Sequence, residues 1–238
     1  MAKKVYIGVG HGGSDPGAIA NGIKEKDVNL EVALACYSFL VKHGVSVKIS
    51  RTEDTEVWIE KRVKEANSFG ADLAVDIHHN AGNGDGAEVY HTKYLGKGAT
   101  LARNIMKEMQ LIGQNAHSTK PKDYTTGAKI KKNSSGNDYF SFIRDTTMPA
   151  VLCECAFLDN KTDVKIIDSK AERVKMGEAI AKGILKTLGI AVIVEKPATE
   201  KVVYTVQVGA YVKKANAEAL IEKLEKAGFN GYIVKKRG

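Results

Sequence analysis

The sequence predicts an α/β fold: a mostly parallel mixed sheet with helices on both faces, followed by a small C-terminal βαβ unit. Three observations predict it. Strand-like runs such as Lys4–Val9 and Val45–Ser50 alternate with stretches whose apolar residues recur about every four positions, as at Val28, Val32, Ala35 and Phe39. The run Ala71–Ile77 is almost continuously apolar, as a strand buried on both faces must be. After Leu188-Gly189 the chain turns polar through Glu195-Lys196-Pro197-Ala198-Thr199-Glu200 before strand and helix signals resume.

Lys4–Val9 ends in a glycine cluster, and a helix follows from about Glu25 until Gly44 stops it. Val45–Ser50 alternates as the second strand, and Ile59, Val63 and Ala66 mark a helix that ends at Gly70. Ala71–Ile77 is then a central strand, Ala87–His91 another, and Leu101, Ile105 and Met109 a third helix. The polar stretch from Gly113 to Asp138 reads as a long loop, which in a compact domain is usually functional, and its lysines suggest a basic groove rim. Tyr139–Ile143 and Ala150–Cys155 read as strands, and a helix from Lys170 to Leu188 closes the unit. In the tail, Tyr204–Tyr211 alternates as a strand, Leu220, Ile221 and Leu224 form a helical stripe, and Gly231–Lys235 is a short second strand. The expected domains are therefore 1–189, a linker 190–201, and a unit at 202–238.

A chain of 238 residues with 43% apolar and 27% charged residues has ample material for a core, which excludes wholesale disorder. No apolar run is long enough to span a bilayer, and none after Met1-Ala2-Lys3-Lys4 has the form of a secretory signal. Synthesis in the cytoplasm, with no membrane insertion, is the expectation. The net charge of +8 suits nucleic acid, anionic membranes or an anionic wall, but the lysines are scattered, which argues against a nucleic-acid stripe. Three cysteines do not make a disulfide framework. Cys153 and Cys155 flank Glu154 in a strand and so face away from it, as small buried apolar residues.

The cluster Gly8-Val9-Gly10-His11-Gly12-Gly13 fits a dinucleotide fingerprint, with Arg51 placed to read a phosphate. That reading fails on spacing. Ser14-Asp15-Pro16-Gly17 intervenes and the helix begins only near Glu25, so no helix N-terminus meets a pyrophosphate. A metal reading explains more residues. His11 ends the first strand, Glu25 opens the first helix, His78-His79 end the central strand, and Glu154 lies near the end of the last. A parallel sheet presents such groups along one edge. Three ligands of His or carboxylate type with one further carboxylate are the inventory of a zinc hydrolase. Glu154 carries extra weight, because an ionised carboxylate in a dry strand is costly unless paired or functional. His43, His91 and His117 read as surface or strand residues.

These residues lie in ordered motifs: His11-Gly12-Gly13-Ser14-Asp15-Pro16-Gly17-Ala18, Glu25, Arg51-Thr52, Arg62 with Ala66-Asn67, Ile77-His78-His79-Asn80-Ala81, and Glu154 with Phe157-Leu158-Asp159-Asn160. Over about residues 3 to 189 the chain resembles the zinc-dependent N-acetylmuramoyl-L-alanine amidases. The resemblance implies hydrolysis of the amide between the muramic acid lactyl group and the first alanine of the peptidoglycan stem peptide. It makes His11, Glu25 and His78 the Zn2+ ligands and Glu154 the catalytic acid/base. The chain departs from the family at Asp76, where Ser is usual, at His79, where a small residue is usual, and at Cys155-Ala156. The tail resembles half of a SPOR module through Tyr204–Tyr211 and Ala215-Asn216-Ala217-Glu218, which implies cell-wall binding and leaves room for a homodimer through two tails. Amidases of this kind resemble mother-cell lytic enzymes and phage endolysins, which reach the wall after release. A zinc peptidase acting on the stem peptide and an inactive wall-binding protein are the competing readings.

Overall fold

The computed structural model describes residues 2–94, 96–117, 127–193 and 206–235. Among them, six strands form one mixed sheet in the order β4-β1-β5-β8-β6-β7. These are β1 (Lys4–Val9), β4 (Ser46–Ile49), β5 (Leu73–Asn80), β6 (Glu88–His91), β7 (Ala128–Lys129) and β8 (Ala150–Phe157). The run β4-β1-β5-β8 is parallel, β6 is antiparallel to β8, and β7 is parallel to β6. The sequence expectation of a mostly parallel sheet holds.

Side chains of a strand alternate between faces, so each strand feeds two layers. Val5, Ile7 and Val9, with Leu73, Val75 and Ile77, and with Val151, Cys153 and Cys155, form the larger core with α1 (Glu25–Lys42), α3 (Lys97–Leu111) and α6 (Lys170–Leu188). Helix α6 crosses α1 and α3 closely. A Cβ on Gly177 would sit 2.4 Å from the Val32 carbonyl oxygen, and one on Gly183 would sit 2.6 Å from Ile105 Cα. The opposite face carries α2 (Ile59–Phe69) and α4 (Ser141–Asp145) over Tyr6, Ala74 and Ala150. Those three residues lie in the N-terminal halves of their strands. Further along the same face come Asp76, His78 and Glu154, where apolar cover gives way to polar side chains.

Several elements differ from the sequence reading. Tyr139–Ile143 is not a strand; Ser141–Asp145 forms the short helix α4 and buries Phe142 and Ile143. Five residues are too few for a period of two to be told from one of 3.6. Within the expected loop 113–138, Ala128–Lys129 is the edge strand β7, while 118–126, with Lys120 and Lys122, lie outside the described residues. A small hairpin, β2 (Ile19–Ala20) and β3 (Ile23–Lys24), precedes α1. Its turn residues Asn21 and Gly22 have φ of 50° and 75°, the positive values that a two-residue Asn-Gly hairpin requires. Helix α5 (Lys161–Val164) was not foreseen either; the Asn160 side chain caps it.

The chain divides into two compact units, Met1–Ile193 and Val194–Gly238. In the first, residues past Gly189 still belong to the body, because Ile193 N–H donates to His43 Nε2 at 3.0 Å. In the second, α7 (Lys214–Lys226) forms as expected. Its flanks 206–211 and 231–235 make no strand ladder among the described residues, and Tyr204 and Thr205 lie outside them. Among the described residues the expected βαβ unit shows its helix and two unpaired flanking segments. The flanks instead approach the helix stripe: a Cβ on Gly231 would lie 2.6 Å from Ile221 Cδ1, and one on Gly209 3.2 Å from Leu220 Cδ2. Among the described residues no helix is long and apolar enough to cross a membrane.

Candidate metal centre and active site

His11 sits just past β1 with φ of 59°, a left-handed backbone that histidine tolerates better than most residues. The loop is pinned from beneath. Arg51 donates to the carbonyls of Gly10, Lys26 and Glu53, which accounts for its position without any phosphate and removes the dinucleotide reading. Glu25, the first residue of α1, is buried and reaches back under this loop. Its Oε2 accepts from Ala18 N–H at 3.0 Å, and its Oε1 accepts from His79 N–H at 3.1 Å and from Asn29 Nδ2 at 3.2 Å.

His11 Nε2, Glu25 and His78 offer ligand atoms that all lie within 4.8 Å of one another. Glu25 bridges the pair: its Oε2 is 3.0 Å from His11 Nε2 and its Oε1 is 3.0 Å from His78 Nδ1. The two imidazoles present opposite nitrogens, and the other nitrogen of each faces an aspartate. His11 Nδ1 is 2.7 Å from Asp15 Oδ2, and His78 Nε2 is 3.5 Å from Asp76 Oδ2. His11 is held as a metal-ligating histidine normally is, by a hydrogen-bonded carboxylate behind it, while Arg62 Nη1 also approaches His78 Nε2 at 3.5 Å. Two histidines and one carboxylate are also a donor set that zinc accepts with a position left for water. The residues present therefore fit the ion.

Burial alone would lift the Glu25 carboxyl, but the two histidines hold it far below the usual carboxylate range. Burial opposes a proton on His78 as well, yet Asp76 and Glu25 outweigh it and raise that imidazole to about 10. A site that holds this much negative charge favours a cation.

Glu154 lies directly across from His78 in the β5–β8 register and across from Glu88 in the β6–β8 register. Its Oε2 is buried and has no hydrogen-bond partner among the described residues. Burial pushes its carboxyl up to about 7, with Glu25 and Glu88 adding repulsion against the pull of His78 and His11. Cys153 and Cys155 are buried on the far side of the strand, as their spacing predicts.

His79 is not in the cluster. It points to the other face of β5, buried, with Nδ1 2.7 Å from Asn29 Oδ1. Burial drives its imidazole down to about 3, so it stays neutral. Asn29 in turn donates to Glu25 and to the Gly10 carbonyl, so His79 and Asn29 prop the candidate ligand from behind. His43 caps α1 and His91 is buried in β6, while His117 Nε2 is 3.9 Å from Glu88.

The sequence reading missed Asn29 and Glu88. Asn29 stands one helical turn after Glu25, a signal that could have found it. Glu88 is buried beside Glu154, and Lys129 Nζ and Asn80 Nδ2 donate to it at 2.6 and 3.0 Å. Its signal was an acidic residue between Ala87 and Val89 in an otherwise apolar strand. Lys129, expected on the groove rim, therefore reaches into the site through Glu88.

The profile of the family described as N-acetylmuramoyl-L-alanine amidase matches residues 5–186, and a SPOR domain profile matches residues 181–238. The first residues of the second match lie within α6, part of the sheet unit. The chain is 38% identical over 233 residues to the N-acetylmuramoyl-L-alanine amidase CwlM of Bacillus licheniformis, covering 97% of this chain and 84% of that one. It is 32% identical over 235 residues to the sporulation-specific N-acetylmuramoyl-L-alanine amidase of Bacillus subtilis, covering 98% and 85%. Among solved structures, the amidase AmiC2 of Nostoc punctiforme superposes with a TM-score of 0.66 at 30% identity, covering 79% of this chain and 97% of that one.

Proposed function

The chain belongs to the N-acetylmuramoyl-L-alanine amidase family, and we propose that it cuts the lactyl–alanine amide of peptidoglycan with zinc held by His11, Glu25 and His78 and the proton moved by Glu154. The observation that carries this reading is the convergence of three donor atoms within 4.8 Å, next to a partnerless buried carboxylate in register with His78.

Bound zinc would supply Lewis acidity to the scissile carbonyl and to the attacking water. The residues of the chain do the rest. Asp15 and Asn29 fix the orientation of His11 and Glu25. Glu154, raised to about 7, accepts the proton that the water loses and returns it to the alanine nitrogen as the C–N bond breaks. The products are a free lactyl carboxylate and a free alanine amine. Lys129 is paired with Glu88, so positive charge for stem-peptide carboxylates would come from the exposed Lys131 and Lys132 that follow it. We assign 1–193 to catalysis, 194–201 to a linker in place of the expected 190–201, and 202–238 to wall binding; the exposed Val206, Val208, Phe229 and Tyr232 leave apolar surface that pairing of two tails would cover. The enzyme acts on the cell wall.

Digestion of purified peptidoglycan tests the reading. Free alanine amino groups without new reducing ends are expected, with loss of activity on chelation and recovery on zinc addition. Purified chain should carry zinc, and His11→Ala and His78→Ala should not. New amino termini on residues further along the stem peptide would overturn the assigned bond.

A further inference from the structure

We infer that Trp58 is a stacking platform for the sugar rings of the glycan strand, on the rim of the candidate metal centre and on the side away from the stem peptide. For its substrate this inference rests on the amidase reading above.

The strands β4, β1, β5 and β8 run parallel, so the segments that follow them gather at one edge of the sheet. His11 follows β1, and His78 and Glu154 lie near the ends of β5 and β8. The segment after β4 reaches the same edge and leads through Trp58 into α2. It is tied to the His11 loop: Gly13 N–H donates to Asp54 Oδ1 at 2.8 Å, and Ser14 Oγ donates to Glu56 Oε2 at 3.3 Å. One turn past Trp58, about 6 Å along the helix axis, stands Arg62. Its Nη1 comes to 3.5 Å from His78 Nε2 and donates to both carboxylate oxygens of Asp76, at 2.7 and 2.9 Å. Gly8 leaves room for that ion pair, since a Cβ there would lie 2.2 Å from Asp76 Oδ1. Trp58 is thus anchored on both sides, along the chain, to groups around the candidate ligands.

Neither burial nor capping accounts for an indole here. Trp58 is the N-cap of α2, a position that favours Ser, Thr, Asp or Asn, and its side chain makes no cap bond. Val57 before it is buried and Ile59 after it packs on the cluster around Tyr6, while Trp58 itself is 67% exposed. A fixed, exposed aromatic ring on a cleft offers its flat face to the C–H face of a sugar. Charge selects that occupant. From Glu53 to Glu60 the chain holds four carboxylates, at Glu53, Asp54, Glu56 and Glu60, and no lysine or arginine. This surface repels stem-peptide carboxylates and accepts hydrogen bonds from uncharged sugar hydroxyls. The sheet's edges are β4 and β7, and His78 and Glu154 stand on its two middle strands. The lysines suited to stem-peptide carboxylates follow β7, at the other edge. Glycan over the β4 side and peptide toward β7 bring the lactyl–alanine bond between them, to the metal centre.

Trp58 is the only tryptophan of the chain, so its emission reports contact at that ring, with or without zinc, and sugar bound by the tail is silent. Titration of the full chain with an N-acetylglucosamine tetramer, an uncharged stand-in for glycan, should give a saturable blue shift. Free stem peptide should give none. Trp58→Ser installs a favoured cap and so keeps the fold. It should raise KM for peptide-bearing glycan chains about 3–10-fold more than for a single N-acetylmuramoyl peptide, the loss falling on KM rather than kcat. Trp58→Tyr should restore most of that difference. No shift with the tetramer, a shift with stem peptide alone, or an equal KM loss on both substrates overturns the inference. If neither substrate is cut, the amidase reading falls, and the tetramer titration still decides whether the ring binds sugar.

Discussion

Replacing Glu154 with Gln should make the zinc-free protein more stable and the enzyme nearly inactive. The substitution keeps shape and volume and removes only the ionisation. The carboxyl is lifted from 4.5 to about 7, chiefly by burial. Holding it ionised in the folded state therefore costs about 3 kcal/mol at full burial. Only Oε2 is wholly shut away, and solvent reaching the rest of the side chain trims the figure to about 1–3 kcal/mol. The sign follows from linkage. Below pH 4.5 the group is protonated in both states and contributes nothing unfavourable. Between 4.5 and about 7 the unfolded chain ionises first, and parent stability falls; above 7 the loss is complete. Urea unfolding of zinc-free parent and Glu154→Gln should coincide at pH 4 and separate by about 1–3 kcal/mol in favour of Gln at pH 8. Zinc loading should shrink the gap, because the cation favours the carboxylate. Turnover of the Gln variant should drop by ~10²–10⁴-fold with zinc retained. A variant less stable than the parent at pH 8, or one within tenfold of parental turnover, would refute the assignment of a strained, ionisable acid/base.

His79→Ala should keep zinc yet destabilise the fold by about 2–4 kcal/mol, since a buried ring leaves a cavity behind Asn29. Its imidazole, driven down to about 3, adds stability above the unfolded value of 6.5 that is lost as pH falls from there toward 3; denaturation midpoints of the alanine variant should lack that dependence. Gly183→Ala gains about 1 kcal/mol of helix propensity but drives a Cβ to 2.6 Å from Ile105 Cα. Overpacking of this kind costs about 1–3 kcal/mol, so a net loss in urea midpoint is expected, and a gain would mean that α6 and α3 separate freely. A chain ending at Ile193 should hydrolyse soluble muropeptides at the parental rate and co-sediment poorly with intact walls; equal co-sedimentation would remove the tail from wall binding.

Much of the site was legible because its chemistry contradicts its surroundings. A Glu inside Val151-Leu152-Cys153-Glu154-Cys155 and His78 at the end of an apolar strand cannot be explained by packing, and both lie on the expected sheet edge. Alternation along β5 also separates His78 from His79, although it could not say which faces Glu25. The partners were less visible. Asn29 and Asp15 are ordinary residues of a helix and a loop until α1 is laid against β1, because their roles arise from contacts across the fold. The long parallel strands and amphipathic helices declared themselves through period. Short elements did not: Ser141–Asp145 is a single turn whose helical state comes from packing Phe142 against Tyr6. The edge strand Ala128–Lys129 has only two residues, and its pairing with β6 is decided by that neighbour rather than by its own sequence.

The fit of Gly8 beneath Asp76 has a consequence for how such a sequence can vary. The two residues are paired in the β1–β5 register, and the space taken by the carboxylate is the space a side chain at position 8 would need. An alanine at 8 is incompatible with aspartate at 76, whereas a smaller residue at 76 leaves room for it. Positions 8 and 76 should therefore co-vary among relatives: a carboxylate at 76 only above a glycine, and a Cβ at 8 only beside a small residue. An evolutionary path between the two states has to change position 8 to glycine first, because the reverse order passes through a clash in the middle of the sheet.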